Sequence, residues 1–211
     1  MGLEQEVKFL YSDFNQLRHI LASTQARFVH KVFEQNRVYD TREGDLKRAG
    51  ALLRLRQAQE TVLCLKTPPR DKEKTDDSRV KTWEETQTAV QDGPSMHALL
   101  LGLGYHEVFC YQKVREKWLL GTCMVCLDQL PFGHFVEIEG DPDQIWEAAR
   151  ALELNVWPWT TKSYHQLHRE WRQENNLPEE ESFVFSAQER ARILAELPGR
   201  SGRTEGAEGT E

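Results

Sequence analysis

Charged residues at every second position, sorted by sign from one segment to the next, leave this chain few ways to fold. In Leu3-Glu4-Gln5-Glu6-Val7-Lys8-Phe9, Glu4, Glu6 and Lys8 fall on one line and Leu3, Val7 and Phe9 on the other. On an extended strand, residues two apart stand roughly 6.6 Å apart and point the same way. Leu53-Arg54-Leu55-Arg56 and Lys113-Val114-Arg115 repeat the alternation with cations, Lys66 follows Leu63 and Leu65, and Glu137-Ile138-Glu139 repeats it with anions. A solvated sheet face usually intersperses the two signs, so segregation of this kind suits a site. Two carboxylates at this spacing can share a hard cation such as Mg2+, and a neighbouring lysine can hold an anion that the cation also touches.

The remaining pattern predicts an α+β chain with short, antiparallel strand-to-strand links. Ser12-Asp13 caps a helix carrying Phe14, Leu17, Ile20 and Leu21 on one side. Strands are expected at Val29–Phe33, Arg37–Thr41, Ala51–Arg56, Thr61–Lys66, Arg79–Val90, Val108–Val114, Lys117–Leu127 and His134–Ile138. Helices are expected after Gly93-Pro94-Ser95, from Asp141-Pro142-Asp143 to about Leu152, over Thr160–Glu174 and over Gln188–Leu197. Thr67–Ser78, with Pro68-Pro69 and mixed charges, reads as a mobile loop, and the composition from Pro198 onward predicts a disordered tail. The domain reading is residues 1–176 as one domain, 177–197 as a C-terminal extension with a short helix, and 198–211 as the tail. The amphipathic helices need an apolar sheet face, and the alternation offers them the uncharged one. If the sheet curls with helices outside, the charged faces line a wet lumen, because a dry one would cost several kcal/mol per unpaired ion.

A net charge of −7 over 211 residues argues against a broad basic face for duplex nucleic acid while allowing a local cationic cavity. No apolar run approaches a membrane span, and a charged strand follows Met1 at once, so the expectation is a cytoplasmic protein without a membrane partner. Cys123-Met-Val-Cys126 has CxxC spacing, yet its thiols face opposite ways on a strand and no second pair stands nearby, which favours a structural role. His165 and His168 lack a third metal ligand and are expected on a solvated helix face, while Trp157 and Trp159 are expected to pack near Pro158. The sequence leaves the oligomeric state open, a homodimer included.

Glu4-x-Glu6-x-Lys8, Tyr39-Asp40-Thr41, Leu53-Arg54-Leu55-Arg56, Leu65-Lys66, Lys113-x-Arg115, Leu127-Asp128 and Phe135-Val136-Glu137-Ile138-Glu139-Gly140 stand in this order, with Thr161-Lys162-Ser163-Tyr164 later. Together they resemble the CYTH family, the triphosphate tunnel metalloenzymes, over about Leu3 to Trp171. The resemblance implies an antiparallel eight-stranded β-barrel, a triphosphate tunnel with helices packed outside. It implies a small-molecule triphosphate substrate held by Lys8, Arg54, Arg56, Lys66, Lys113 and Arg115. Mg2+ or Mn2+ would sit on Glu4, Glu6, Glu137 and Glu139, with Glu85 and Asp128 on the same side. Trp83, Gln87 and Ala89 stand where members often carry charge, and a one-residue slip there would select Glu84 over Glu85. Glu4, Glu6 and Lys8 are catalytic candidates. So are Tyr39 and Asp40, for which a strand-ending turn is the alternative. Lys162 either reaches the tunnel mouth or is a surface charge. The implied activity is metal-dependent hydrolysis of tripolyphosphate, thiamine triphosphate or a nucleoside triphosphate. An adenylate cyclase and a non-catalytic polyphosphate- or nucleotide-binding module are the competing readings.

Overall fold

The computed structural model describes residues 2–70 and 77–197. Part of the expected mobile loop, 71–76, and the expected tail, 198–211, lie outside the described residues. In chain order the elements are β1 (Gly2–Leu10), α1 (Phe14–Ser23), β2 (Arg27–Asp40), α2 (Asp45–Arg48), β3 (Leu52–Gln57), β4 (Thr61–Thr67) and β5 (Lys81–Val90). They continue with α3 (Gly93–Gly102), β6 (His106–Leu120), β7 (Cys123–Leu130), β8 (Gly133–Glu139), α4 (Pro142–Ala151), β9 (Trp159–Thr160), α5 (Tyr164–Glu174) and α6 (Ala187–Glu196).

The strands run in the spatial order β5-β4-β3-β2-β6-β7-β8-β1, and a β5–β1 pairing closes them into an antiparallel eight-stranded barrel. Strand β1 makes the closure by splitting its partners: Gly2–Glu6 pair with β5 and Glu6–Leu10 with β8. Closure forces every second side chain of each strand either into the lumen or outward. Much of the outward set is apolar. Val7 and Phe9 of β1, Val125 and Leu127 of β7, and Val136 and Ile138 of β8 pack against Leu17 and Leu21 of α1 and Ile145, Ala149 and Leu152 of α4. Each fully buried large apolar side chain in such a layer is worth about 1.5–3 kcal/mol, which is what turns the charged faces inward. On another side, Leu100 of α3 covers Tyr39, Leu53 and Leu55.

Local sequence sets the helix starts. The Asp13 carboxylate accepts from the Gln16 amide at 2.9 Å, and Ser163 with Gln166 forms a reciprocal capping box at α5. That box corrects one expected boundary: the helix begins at Tyr164 instead of Thr160, while Trp159–Thr160 pair with β1. The two strands expected at Val29–Phe33 and Arg37–Thr41 are one strand, β2, held continuous by pairing with β6 along most of its length. The expected break at Glu116 is absent as well. Strand β6 runs through it to Leu120, and the turn to β7 falls at Gly121, whose φ of 58° suits glycine.

Beyond α5, residue Phe183 forms a parallel bridge with Tyr111, and Phe185 and Ile193 pack with Val114 and Phe33 on the outside of the barrel. No helix among the described residues is long and apolar enough to cross a membrane.

Candidate active site

The lumen forms a cavity of about 820 Å3. Glu4, Glu6 and Lys8 of β1, Arg54 and Arg56 of β3, and Lys66 of β4 reach it from one side of the barrel. Lys81, Trp83 and Glu85 of β5 continue that wall, and Lys113, Arg115 and Lys117 of β6 face Glu137 and Glu139 of β8. Glu84 points the other way, where its carboxylate accepts from the Arg70 amide at 2.9 Å, so the register selects Glu85 for the lumen.

Half of the cations on the strand walls are already held by carboxylates. The Lys8 ammonium lies 2.6 Å from Glu6 and 2.9 Å from Glu137. Lys66 pairs with Glu4, and with Glu85 at 3.4 Å. Arg115 donates to Glu137 at 2.6 Å and lies 3.4 Å from Glu139. Four cations differ: among the described residues, Arg54, Arg56, Lys81 and Lys117 have no carboxylate within ion-pair distance. Arg54 is buried and donates only to the Tyr111 hydroxyl, at 2.9 Å, leaving its Nε without a partner. Lys81 sits 4.8 Å above the Trp83 ring. Burial, with Lys8 and Lys66 nearby, brings its pKa down to about 8.

The acids divide in two. Burial opposes ionisation of Glu137, but Arg115, Lys8 and Lys113 hold it well below the usual carboxylate range. Glu85 is drawn to about 2 against its burial by a hydrogen bond from Glu4 and by Lys66. Glu4 moves oppositely, to about 8, through burial and that shared bond with Glu85, offset in part by Lys66. Glu139 is pushed up to about 7 by burial and by Glu137, against the pull of Arg115. Glu4, Glu6 and Glu139 each bring a carboxylate oxygen within 4.8 Å of the others. An all-oxygen set of crowded acids, two of them reluctant to ionise, fits a hard divalent cation. The neighbouring trio of Cys126, Glu137 and Glu139 suits it less, since burial holds the Cys126 thiol protonated.

The model of the CYTH domain matches residues 2–167. The chain belongs to the CYTH domain family. A Methanocaldococcus jannaschii protein, named provisionally as an adenylate cyclase, is 26% identical over 152 residues, covering 72% of this chain and 84% of that protein. A Vibrio parahaemolyticus structure with the same provisional name shares the fold at a TM-score of 0.66 and 21% identity, over 79% of this chain and 98% of that one. A Hippeastrum protein, described as a provisional adenylyl cyclase with a dominant triphosphatase activity, matches at a TM-score of 0.57 and 17% identity, over 85% of this chain and 98% of that one.

Four expected site residues of this CYTH chain have their polar groups engaged by other partners. The Tyr39 hydroxyl meets His97 Nδ1 at 2.8 Å in the apolar cluster under α3, because its strand position points outward. Asp40 faces inward, but its carboxylate is consumed by three backbone amides, those of Thr41, Leu46 and Lys47, at 2.8–2.9 Å. It fastens the turn into α2. Asp128 is fully buried behind the cations, accepting from Lys113 at 3.1 Å, Arg115 at 2.7 Å and the Tyr164 hydroxyl at 2.7 Å, so it has no free oxygen for a metal in the lumen. Lys162 is exposed and pairs with Glu170 at 2.8 Å. The two histidines are corrected also. His168 is buried against Phe132, Trp171 and Phe183, and His165 stacks on Phe109 and bonds Glu181, because the segment after α5 folds back over that face.

Sequence reasoning passed over Lys117, which continues the period-two row of Lys113 and Arg115, and set Lys81 on the inward row of Trp83 and Glu85 without a role in the site. Tyr111 and Glu34 carried a weaker signal. The Glu34 carboxylate, 3.8 Å from Lys113, is drawn to about 2 against its burial by Lys113, Arg115 and Arg56.

Proposed function

We propose that this CYTH chain is a Mg2+- or Mn2+-dependent hydrolase of a small molecule bearing a linear triphosphate. The observation that carries the reading is the set of lumen cations without carboxylate partners, Arg54, Arg56, Lys81 and Lys117, beside the trio of Glu4, Glu6 and Glu139. Arg54 is buried and the other three cations are half-buried; a buried cation without a counter-charge costs several kcal/mol, so the cavity favours a ligand that brings several anionic oxygens in a row. Arg54 and Arg56 offer forked donors to phosphate oxygens, and Lys66, Lys113 and Arg115 are held in place by acids that offset their mutual repulsion. Glu4, Glu6 and Glu139 are the residues that would hold the metal. A bound divalent ion supplies neutralisation of the charge that develops on the phosphate oxygens. Glu4 or Glu6 is the alternative group for orienting an attacking water, in place of holding the metal.

The names of the Methanocaldococcus and Vibrio relatives favour a second reading, cyclisation of ATP by its own 3′-hydroxyl. The description of the Hippeastrum protein favours hydrolysis. Both reactions draw on the same phosphate clamp. Incubation with either metal and, in turn, tripolyphosphate, thiamine triphosphate and ATP separates them by product. Phosphate release is expected; exclusive formation of cyclic AMP and pyrophosphate from ATP, with the other two untouched, would overturn the hydrolase reading.

A further inference from the structure

The CYTH match ends at residue 167, yet Phe183 and Glu181 line the same cavity as the phosphate-facing cations. The reason lies in strand β6. Its partner β7 pairs with it only from Val114 onward, which leaves the edge from His106 to Lys113 unpaired on that side. The chain after α5 takes that edge. The Phe183 amide donates to the Cys110 carbonyl at 3.1 Å, and the Phe183 carbonyl accepts from the Gln112 amide at 3.0 Å. Ser182 Oγ accepts from the Cys110 amide and Gln112 Oε1 from the Phe185 amide, both at 3.1 Å. Together these bonds bracket Tyr111, and the Phe183 ring stacks on the Tyr111 ring at 5.0 Å with the planes 23° apart. Phe185 and Ile193 anchor the segment on the outer wall beside Val114.

Among the described residues, Tyr111 is in turn the sole side-chain hydrogen-bond partner of Arg54. Lys8, Lys66, Lys113 and Arg115 are oriented by acids that cancel their charge, whereas a phenol orients Arg54 and leaves its charge whole. We propose that residues 182–185 form part of the active site, setting Arg54 for its phosphate contact through Tyr111. Phe183 and Tyr111 are thus positioning residues, and Arg54 is the group that touches substrate. The inference rests on the triphosphate reading.

A mutant cycle with tripolyphosphate as the probe tests it. Tyr111→Phe keeps the ring and removes the bond to Arg54, so kcat/KM should fall about tenfold to a hundredfold, as for a hydrogen bond to a charged group. Phe183→Leu, which keeps an apolar side chain, should fall less, with its thermal melt near that of the parent. In an Arg54→Ala background both changes should be silent, because their effect runs through the guanidinium. A purely structural role would give the same losses with or without Arg54, and that result, or a fully active Tyr111→Phe, overturns the inference. If Arg54→Ala itself hydrolyses tripolyphosphate as the parent does, the triphosphate reading of this residue fails as well, so the two failures are told apart.

Discussion

Asp128→Asn keeps the shape of a fully buried side chain while deleting the charge behind the cation row. Asp128 accepts from Lys113 at 3.1 Å, from Arg115 at 2.7 Å and from Tyr164 at 2.7 Å. The asparagine amide would present an N–H to groups that are themselves donors. Arg115 retains Glu137 at 2.6 Å and Glu139 at 3.4 Å, but Lys113 keeps only Glu34, at 3.8 Å. Removing one partner from a buried ion pair costs about 3–5 kcal/mol, and the contacts left to Arg115 place this case near the lower end, ~3 kcal/mol. For a chain of this size the melting temperature should drop by about 6–12 °C. Urea unfolding and thermal melts of the variant and parent measure the loss. Tripolyphosphate, by supplying the missing negative charge, should restore about 2.7 kcal/mol at a hundredfold excess over its dissociation constant. A variant within about 0.5 kcal/mol of the parent would refute the reasoning, since it would mean that Lys113 and Arg115 are solvated and need no counter-charge.

Arg56→Ala should lower kcat/KM for tripolyphosphate at least ~30-fold, whereas Lys162→Ala, already paired with Glu170 at the surface, should leave it unchanged; steady-state kinetics on both checks the assignment. A metal held by Glu4 and Glu139 would displace their protons, kept up to about 8 and about 7, so affinity for Mg2+ should rise with pH up to about 8 and most steeply below about 7. Calorimetry in two buffers of different ionisation enthalpy would show the proton release; equal heats would contradict it. Lys81 titrates near 8 in the folded chain against 10.5 for the free group, so the folded state binds fewer protons in that window and stability rises with pH across it. Lys81→Met should therefore melt a few degrees higher at pH 7 and bind tripolyphosphate more weakly, a pairing that melts with and without the ligand would expose.

The period-two rows made the barrel and much of its lining readable before any coordinates. Glu4, Glu6, Lys8, Arg54, Arg56, Glu137 and Glu139 share the lumen because strand geometry assigns alternate residues to one face, and apolar helices claim the other. Element ends were less readable. The sequence pattern predicts separate strands on either side of Glu34-Gln35-Asn36, whereas pairing with β6 keeps these three polar residues extended within β2. That division hid Glu34 and Asn36, just as the break placed at Glu116 hid Lys117.

What the sequence by itself determined is the sign and face of each charge row, since both follow from local alternation. Which carboxylates are grouped so that they could hold a metal and which only brace a cation was decided by the tertiary structure. Asp128 and Glu139 carry the same chemistry, yet one is sealed behind Lys113 and Arg115 and the other stands beside Glu4 and Glu6. The link from Phe183 through Tyr111 to Arg54 joins residues 183, 111 and 54, far apart in the chain, and exists only because β7 leaves part of β6 uncovered. Local pattern carries no record of such distances. They are set when the barrel closes and its strands take their register.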